Sequence, residues 1–211
     1  MTMPPRNLTP SEALLRREHR ENLLRQRGCI VWMTGLSGAG KSTIARELER
    51  RLVLDSRFAY VLDGDNVRHR LNRDLGFSES DRHENIRRVA EVAQLFADAG
   101  AITIVAFISP YRKDRAIARE LAGDRPFLEV HVATALAECE HRDPKGLYRK
   151  ARAGQIRGFT GIDDPYEAPE APELRLDTAG RDVISCTEDI LAAMRGRHLW
   201  GALPEEGGSG I

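Results

Sequence analysis

The chain has 211 residues, with 32 lysines and arginines against 32 aspartates and glutamates. That length suits one domain with a sizeable core, and the balanced charge gives no reason to expect nucleic acid or an anionic membrane as the main partner. Cys29, Cys139 and Cys186 are odd in number, far apart and without metal-ligand spacing, no apolar stretch approaches a membrane span, and the start lacks a secretory pattern, so the expectation is a cytoplasmic protein with reduced packing thiols.

The first ten residues are polar and proline-rich, and residues 11–27 form an arginine-heavy helical stretch whose apolar pairs are Leu14-Leu15 and Leu23-Leu24. We read 1–27 as a peripheral helical extension with a solvated basic face. An apolar run at 29–33 reads as the first strand. Directly after it, Gly35-Leu36-Ser37-Gly38-Ala39-Gly40-Lys41-Ser42 fits the phosphate-binding loop G-x-x-x-x-G-K-[ST], and Thr43 leads into a helix that puts Ile44, Ala45, Leu48 and Leu52 on one face. The glycines let successive N–H groups curl around a phosphate, Lys41 adds positive charge, and the Ser42 hydroxyl suits Mg²⁺. A nucleoside triphosphate, ATP with Mg²⁺, is the first ligand to expect.

A second strand at 58–62 leads to Asp63-Gly64-Asp65-Asn66, which places two carboxylates at the carboxyl edge of a sheet, facing the loop. One suits the metal's water shell and the other an attacking hydroxyl. Arg68 follows. A helix from about 81 to 99, opened by Asp81 and Glu84 and stopped by Gly100, carries Arg82 and Asn85 three apart near its N-terminus, and with Arg68 they form an oxyanion-binding set. Further strands are expected at 101–107, 127–132 and 183–186, with Thr187, Glu188 and Asp189 opening a last helix through Met194. The alternation predicts an α/β fold of the P-loop NTPase type, a parallel sheet covered by helices on both faces. Residues 141–172 interrupt the rhythm with basic, glycine-bearing and proline-rich sequence, as a lid closing over phosphates would. The catalytic domain is then 28–196, and 197–211 is a tail with a disordered end.

On residues alone, another small-molecule P-loop kinase or a nucleotide-binding regulatory module stays open. The loop, together with Asp-Gly-Asp-Asn-Val-Arg-His, Asp-Arg-His-Glu-Asn-Ile-Arg-Arg-Val, Ala-Phe-Ile-Ser-Pro-Tyr-Arg, Arg-Asp-Pro-Lys-Gly-Leu-Tyr and Phe-Thr-Gly-Ile-Asp-Asp-Pro-Tyr-Glu, resembles the adenylylsulfate kinase family over about residues 28 to 180. The resemblance implies transfer of the γ-phosphoryl group of ATP to the 3′-hydroxyl of adenosine 5′-phosphosulfate, by a protein that is commonly a homodimer. It implies that Arg68, Arg82 and Asn85 hold the phosphosulfate end and that Phe77 and Phe159 sandwich the adenine. Asp65, at the strand edge, is our own candidate on the substrate side, and the resemblance implies that Ile108 and Lys145 line the substrate, that Arg142 and Thr178 flank the ATP adenine, and that Ser109 is the position to which the family description assigns a phosphorylated intermediate. Asp63 is our candidate for orienting the hydroxyl, since phosphoryl transfer needs mainly alignment and charge stabilisation. Arg70 stands where the family usually has glycine, and Ala133 where it often has aspartate.

Overall fold

The computed structural model describes residues 14–199. Five strands, β1 (Cys29–Thr34), β2 (Ala59–Asp63), β3 (Ile102–Ala106), β4 (Phe127–Val132) and β5 (Leu174–Leu176), form one sheet in the order β2-β3-β1-β4-β5. Every pairing is parallel. Both faces are covered, so β1 and β3 are apolar but for Thr34 and Thr103, whereas β4 alternates Leu128, Val130 and Val132 with Glu129 and His131. Along β1, Cys29, Val31 and Met33 enter one core with α2 (Lys41–Leu54) and α8 (Val183–Gly196). Ile30 and Trp32 enter the other, with residues of α4 (Glu79–Asp98) and α5 (Arg112–Ala122).

The expected strand at 183–186 is instead the first turn of α8, and the fifth strand lies at 174–176. Four apolar-rich residues cannot by themselves separate strand from helix. Asp182 decides it: its carboxylate accepts the Ser185 N–H at 2.7 Å, capping the helix four residues ahead of the expected start. The helix expected from 81 likewise begins at Glu79, because Ser78 caps it through the Asp81 N–H at 3.2 Å. It ends beside Gly100, which takes φ +92°.

Within the arginine-rich stretch, α1 (Arg17–Leu24) does not leave its charge to solvent. Arg17 forks onto Asp124 at 3.0 and 2.9 Å, and Arg20 bonds the Asp98 carbonyl at 2.9 Å and its carboxylate. The proline-rich first ten residues and the glycine-rich segment from 203 lie outside the described residues. The expected lid at 141–172 begins in the last turn of α6 (Leu136–Arg142) and carries a short helix, α7 (Leu147–Arg152). Asp143 caps α7 by accepting the Tyr148 and Arg149 N–H groups, each at 3.0 Å. Among the described residues no helix is long and apolar enough to cross a membrane.

Candidate active site

The carboxyl ends of β1, β2 and β3 open into a cavity of about 690 Å³, roofed by the 141–172 segment. The phosphate loop leaves β1 with Gly35 at φ +151°, Gly38 at +74° and Gly40 at +102°. A Cβ on Gly35 would stand 2.4 Å from the Val132 carbonyl oxygen, so only glycine fits there. The loop is braced from behind: Thr134 and Thr178 hydroxyls donate to the Ala39 carbonyl at 3.2 and 3.0 Å, and the Tyr148 hydroxyl donates to the Ser37 carbonyl at 2.9 Å. Lys41 curls over the loop and donates to the Gly35 and Leu36 carbonyls at 2.9 and 2.7 Å. Burial is the main cause that lowers its ammonium from the ordinary 10.5 to about 8.

Opposite the loop, Asp63 ends β2 and caps α3 (Gly64–His69), its Oδ1 accepting the Asp65 N–H at 3.1 Å. Its Oδ2 is buried without a hydrogen-bond partner, an acceptor aimed where a ligand group would satisfy it. Asp65 pairs with Lys145 of the roof, joining the two sides of the cavity mouth. Further along, Arg68 donates to the Gly76 carbonyl at 2.8 Å, and its guanidinium lies 4.6 Å above the Phe77 ring, which is 65% exposed. Burial and then the neighbouring Arg82 lower the Arg68 guanidinium from its ordinary value, with Asp81 and Asp65 opposing them, and both guanidinium groups lie over the Phe77 ring. Asn85 is buried and accepts from the Asn72 amide at 2.9 Å. Phe159 stands edge-on to Tyr148 at 5.0 Å.

Ser109 is buried and held at φ +39°, in the left-handed region. Its hydroxyl accepts from Trp32 Nε1 at 3.2 Å and its carbonyl accepts from Arg115 at 2.7 Å. Arg115, only 3% exposed, also bonds Glu129 at 2.9 Å and the Glu167 carbonyl at 2.6 Å, so one guanidinium ties the end of the roof to the Ser109 turn. Nothing in the sequence marks Arg115 for this, since its partners lie 14 and 52 positions away.

Most residues singled out by sequence line this cavity together: Ser37, Gly38, Gly40, Lys41, Ser42 and Thr43 on the loop side, Asp63, Asp65, Arg68, Phe77, Arg82 and Asn85 opposite, and Ile108, Ser109, Arg142, Lys145, Phe159 and Thr178 between them. Gly35, Leu36 and Ala39 do not reach the wall; their carbonyls and backbone shape the loop from behind, and Leu36 faces 161–166. Arg142 meets Thr178 directly, at 2.8 Å to the hydroxyl and 2.9 Å to the carbonyl. Arg46, Arg181 and Cys186 also line the wall and were not anticipated; the first two carry no motif, and Cys186 falls in the segment read as a strand. Arg70 is exposed and outside the wall, so the family glycine it replaces costs the cavity nothing.

Fold and loop together define a P-loop phosphotransferase with a second, cationic and aromatic end to its cavity. The chain belongs to the adenylylsulphate kinase family, whose sequence pattern matches residues 27–177. It is 52% identical over 194 residues to the adenylyl-sulfate kinase of Aeromonas salmonicida, covering 92% of this chain and 99% of that one. It is 53% identical over 192 residues to the bifunctional enzyme NodQ of Rhizobium sp., covering 91% of this chain but 30% of that protein, so it corresponds to about a third of NodQ. Among solved structures it resembles the Mycobacterium tuberculosis APS kinase CysC in complex with AMPPNP and APS, with TM-score 0.78 and 50% identity over 81% of this chain and 99% of that chain.

Proposed function

We propose that this protein is an ATP-dependent adenylyl-sulfate kinase that transfers the γ-phosphoryl group of ATP to the 3′-hydroxyl of adenosine 5′-phosphosulfate. The observation that carries the reading is the polarity of one cavity: a phosphate loop with Lys41 at one end, two arginines beside an open phenylalanine at the other, and the unsatisfied Asp63 oxygen at its wall. ATP takes the loop, with Arg142 and Thr178 beside its base. The acceptor places its anion toward Arg68, Arg82 and Asn85 and its base between Phe77 and Phe159, with Ile108 and Lys145 completing its wall. Arginine forks match sulfate and phosphate oxygens, and stacking suits a purine that must be bound on both faces.

Asp63 orients the acceptor hydroxyl, and Lys41 follows the charge that develops on the transferred group; interactions made only in the transition state are those that raise the rate. The residues present fit Mg²⁺, because the free Asp63 oxygen and the Ser42 hydroxyl are the hard oxygen donors it prefers. The metal would supply charge neutralisation at the phosphates. Ser109 shapes the turn; with its hydroxyl engaged by Trp32, direct in-line transfer between two ordered substrates needs no covalent stop on it. Three free, buried cysteines accord with a cytoplasmic setting, and a homodimer is the assembly the family resemblance implies, checked by its mass in solution.

The test is incubation with Mg-ATP and adenosine 5′-phosphosulfate, with products identified by mass spectrometry and a non-sulfated analogue alongside. The expected product is 3′-phosphoadenosine 5′-phosphosulfate, formed only from the sulfated acceptor. Binding of both nucleotides without that product overturns the reading.

A further inference from the structure

Two adjacent carboxylates in the roof, Asp163 and Asp164, stand outside the cavity wall yet each holds a residue that lines it. Asp163 accepts the Phe159 N–H at 2.6 Å and the Gly158 N–H at 2.8 Å. Those two backbone donors, Phe159 first, keep its carboxyl below the usual range. The Phe159 carbonyl is fixed as well, accepting from the N–H groups of Ile162, Asp163 and Asp164 at 3.0, 3.2 and 3.3 Å. With both backbone polar groups of Phe159 engaged, the direction in which its side chain leaves the loop is set.

Asp164 works on the other side of the same turn. Its carboxylate lies 3.6 Å from Arg82 Nε and accepts the Tyr111 hydroxyl at 3.3 Å. Arg82 also donates to the Gly158 carbonyl at 2.6 Å and to the Phe77 carbonyl at 3.1 Å. A long, largely buried guanidinium that must meet an anion loses rotamer freedom when it binds; one already held by a carboxylate and two carbonyls has lost that freedom beforehand.

We propose that Asp163 and Asp164 are paired positioning residues for the acceptor nucleotide, Asp163 aiming Phe159 at its base and Asp164 aiming Arg82 at its anionic end. This rests on the kinase reading above. Each carboxylate acts chiefly through one partner, Asp163 reaching Arg82 only indirectly through Gly158, so its effect falls on adenosine 5′-phosphosulfate and not on ATP, and most of it is lost when the partner is removed first.

The experiment is a pair of double-mutant cycles, Asp163→Asn with Phe159→Ala and Asp164→Asn with Arg82→Met. Dissociation constants for adenosine 5′-phosphosulfate are measured by calorimetry on AMPPNP-saturated protein, together with KM for both substrates where turnover allows. Each Asn variant is expected to weaken acceptor binding about tenfold, the scale of the charge-assisted bonds that Asp163 accepts from the Phe159 and Gly158 N–H groups and of the partly buried Asp164–Arg82 ion pair at 3.6 Å. The KM for ATP should stay within about twofold, and in the partner-deleted background the Asn change should add little. Equal loss of both substrates, or additive losses within a cycle, overturns the proposal. Should Asp164→Asn not fold, Tyr111→Phe removes one support of the same carboxylate and is expected to give a smaller, acceptor-only loss; an unselective loss overturns the role of Asp164. A wild-type protein that does not phosphorylate adenosine 5′-phosphosulfate overturns the kinase reading itself, whereas an active wild type with unselective variants overturns only the positioning roles.

Discussion

Lys41 is the residue at which function and stability are set against each other most sharply. Burial lowers its ammonium from 10.5 to about 8, a difference that corresponds to about 3 kcal/mol of free energy against the charged form in the folded chain. Below about pH 8 the folded state carries the whole of that cost. Between about pH 8 and 10.5 the unfolded chain still holds a proton that the folded chain has released, so raising the pH there favours the folded state. Lys41→Met keeps the apolar stem and removes the titration. The wild type should therefore gain on Lys41→Met by about 2 kcal/mol between about pH 7 and about pH 9.5, or about 4–8 °C in melting temperature for a domain of this size. Parallel thermal or urea unfolding of the nucleotide-free proteins across that range reads it out. Bound triphosphate restores the ammonium, so wild-type affinity for ATP should fall up to about tenfold per pH unit above about 8, while that of Lys41→Met stays flat. Turnover of the variant should drop about a thousandfold, which corresponds to about 4 kcal/mol of transition-state stabilisation. A stability difference that does not change with pH, or a variant with near-normal turnover, would refute the reasoning.

Other perturbations test the frame around the site. Ser109→Ala leaves the Trp32 N–H without its acceptor and should cost about 1–3 kcal/mol of stability while turnover stays within about tenfold of wild type; a folded variant that loses all turnover would point to a covalent role instead. Gly28→Ala would drive a Cβ to 1.9 Å from the Ala97 carbonyl oxygen, backbone against backbone. Its expected cost of about 2–3 kcal/mol should appear as a melting temperature lower by about 4–12 °C, with the rate per folded molecule preserved; an unchanged melting temperature would contradict the packing. Arg115→Met takes from buried Glu129 its 2.9 Å partner, leaving it Arg119 at 3.5 Å, and should cost at most about 3–5 kcal/mol, whereas Arg115→Met with Glu129→Leu should recover part of that in chemical denaturation. If the double variant is less stable than the single one, the ion pair is not the source of the effect.

Local chemistry made much of this protein readable as a string. The phosphate loop needs glycines and a lysine at set spacing because the backbone itself binds the phosphate, and the helix after it shows its core face through Ile44, Ala45, Leu48 and Leu52, all buried. β1 and β3 were readable because a sheet covered on both faces leaves nearly unbroken apolar runs. Reading failed where the signal was short: β5 has three residues at the sheet edge, and 183–186 changed from strand to helix through one capping bond from Asp182. Arg68 and Arg82 could be named from residue type and spacing, and Phe77 and Phe159 from family blocks, but not their mutual placement.

What the sequence by itself determined, then, is the chemistry that depends on near neighbours: the phosphate loop, the carboxylates that follow β2, the arginine and asparagine one turn into α4, and the layered α/β class. Only the tertiary structure decided that Asp63 keeps a buried oxygen unsatisfied, that Lys41 is desolvated enough to lose much of its basicity, and that Arg115 and Asp164 reach 52 and 82 positions along the chain, to Glu167 and to Arg82. The physical reason is the range of the forces. Turns, caps and amphipathic faces are set by groups a few residues apart, whereas burial, charge compensation and the aim of a side chain depend on which distant segments the fold packs together.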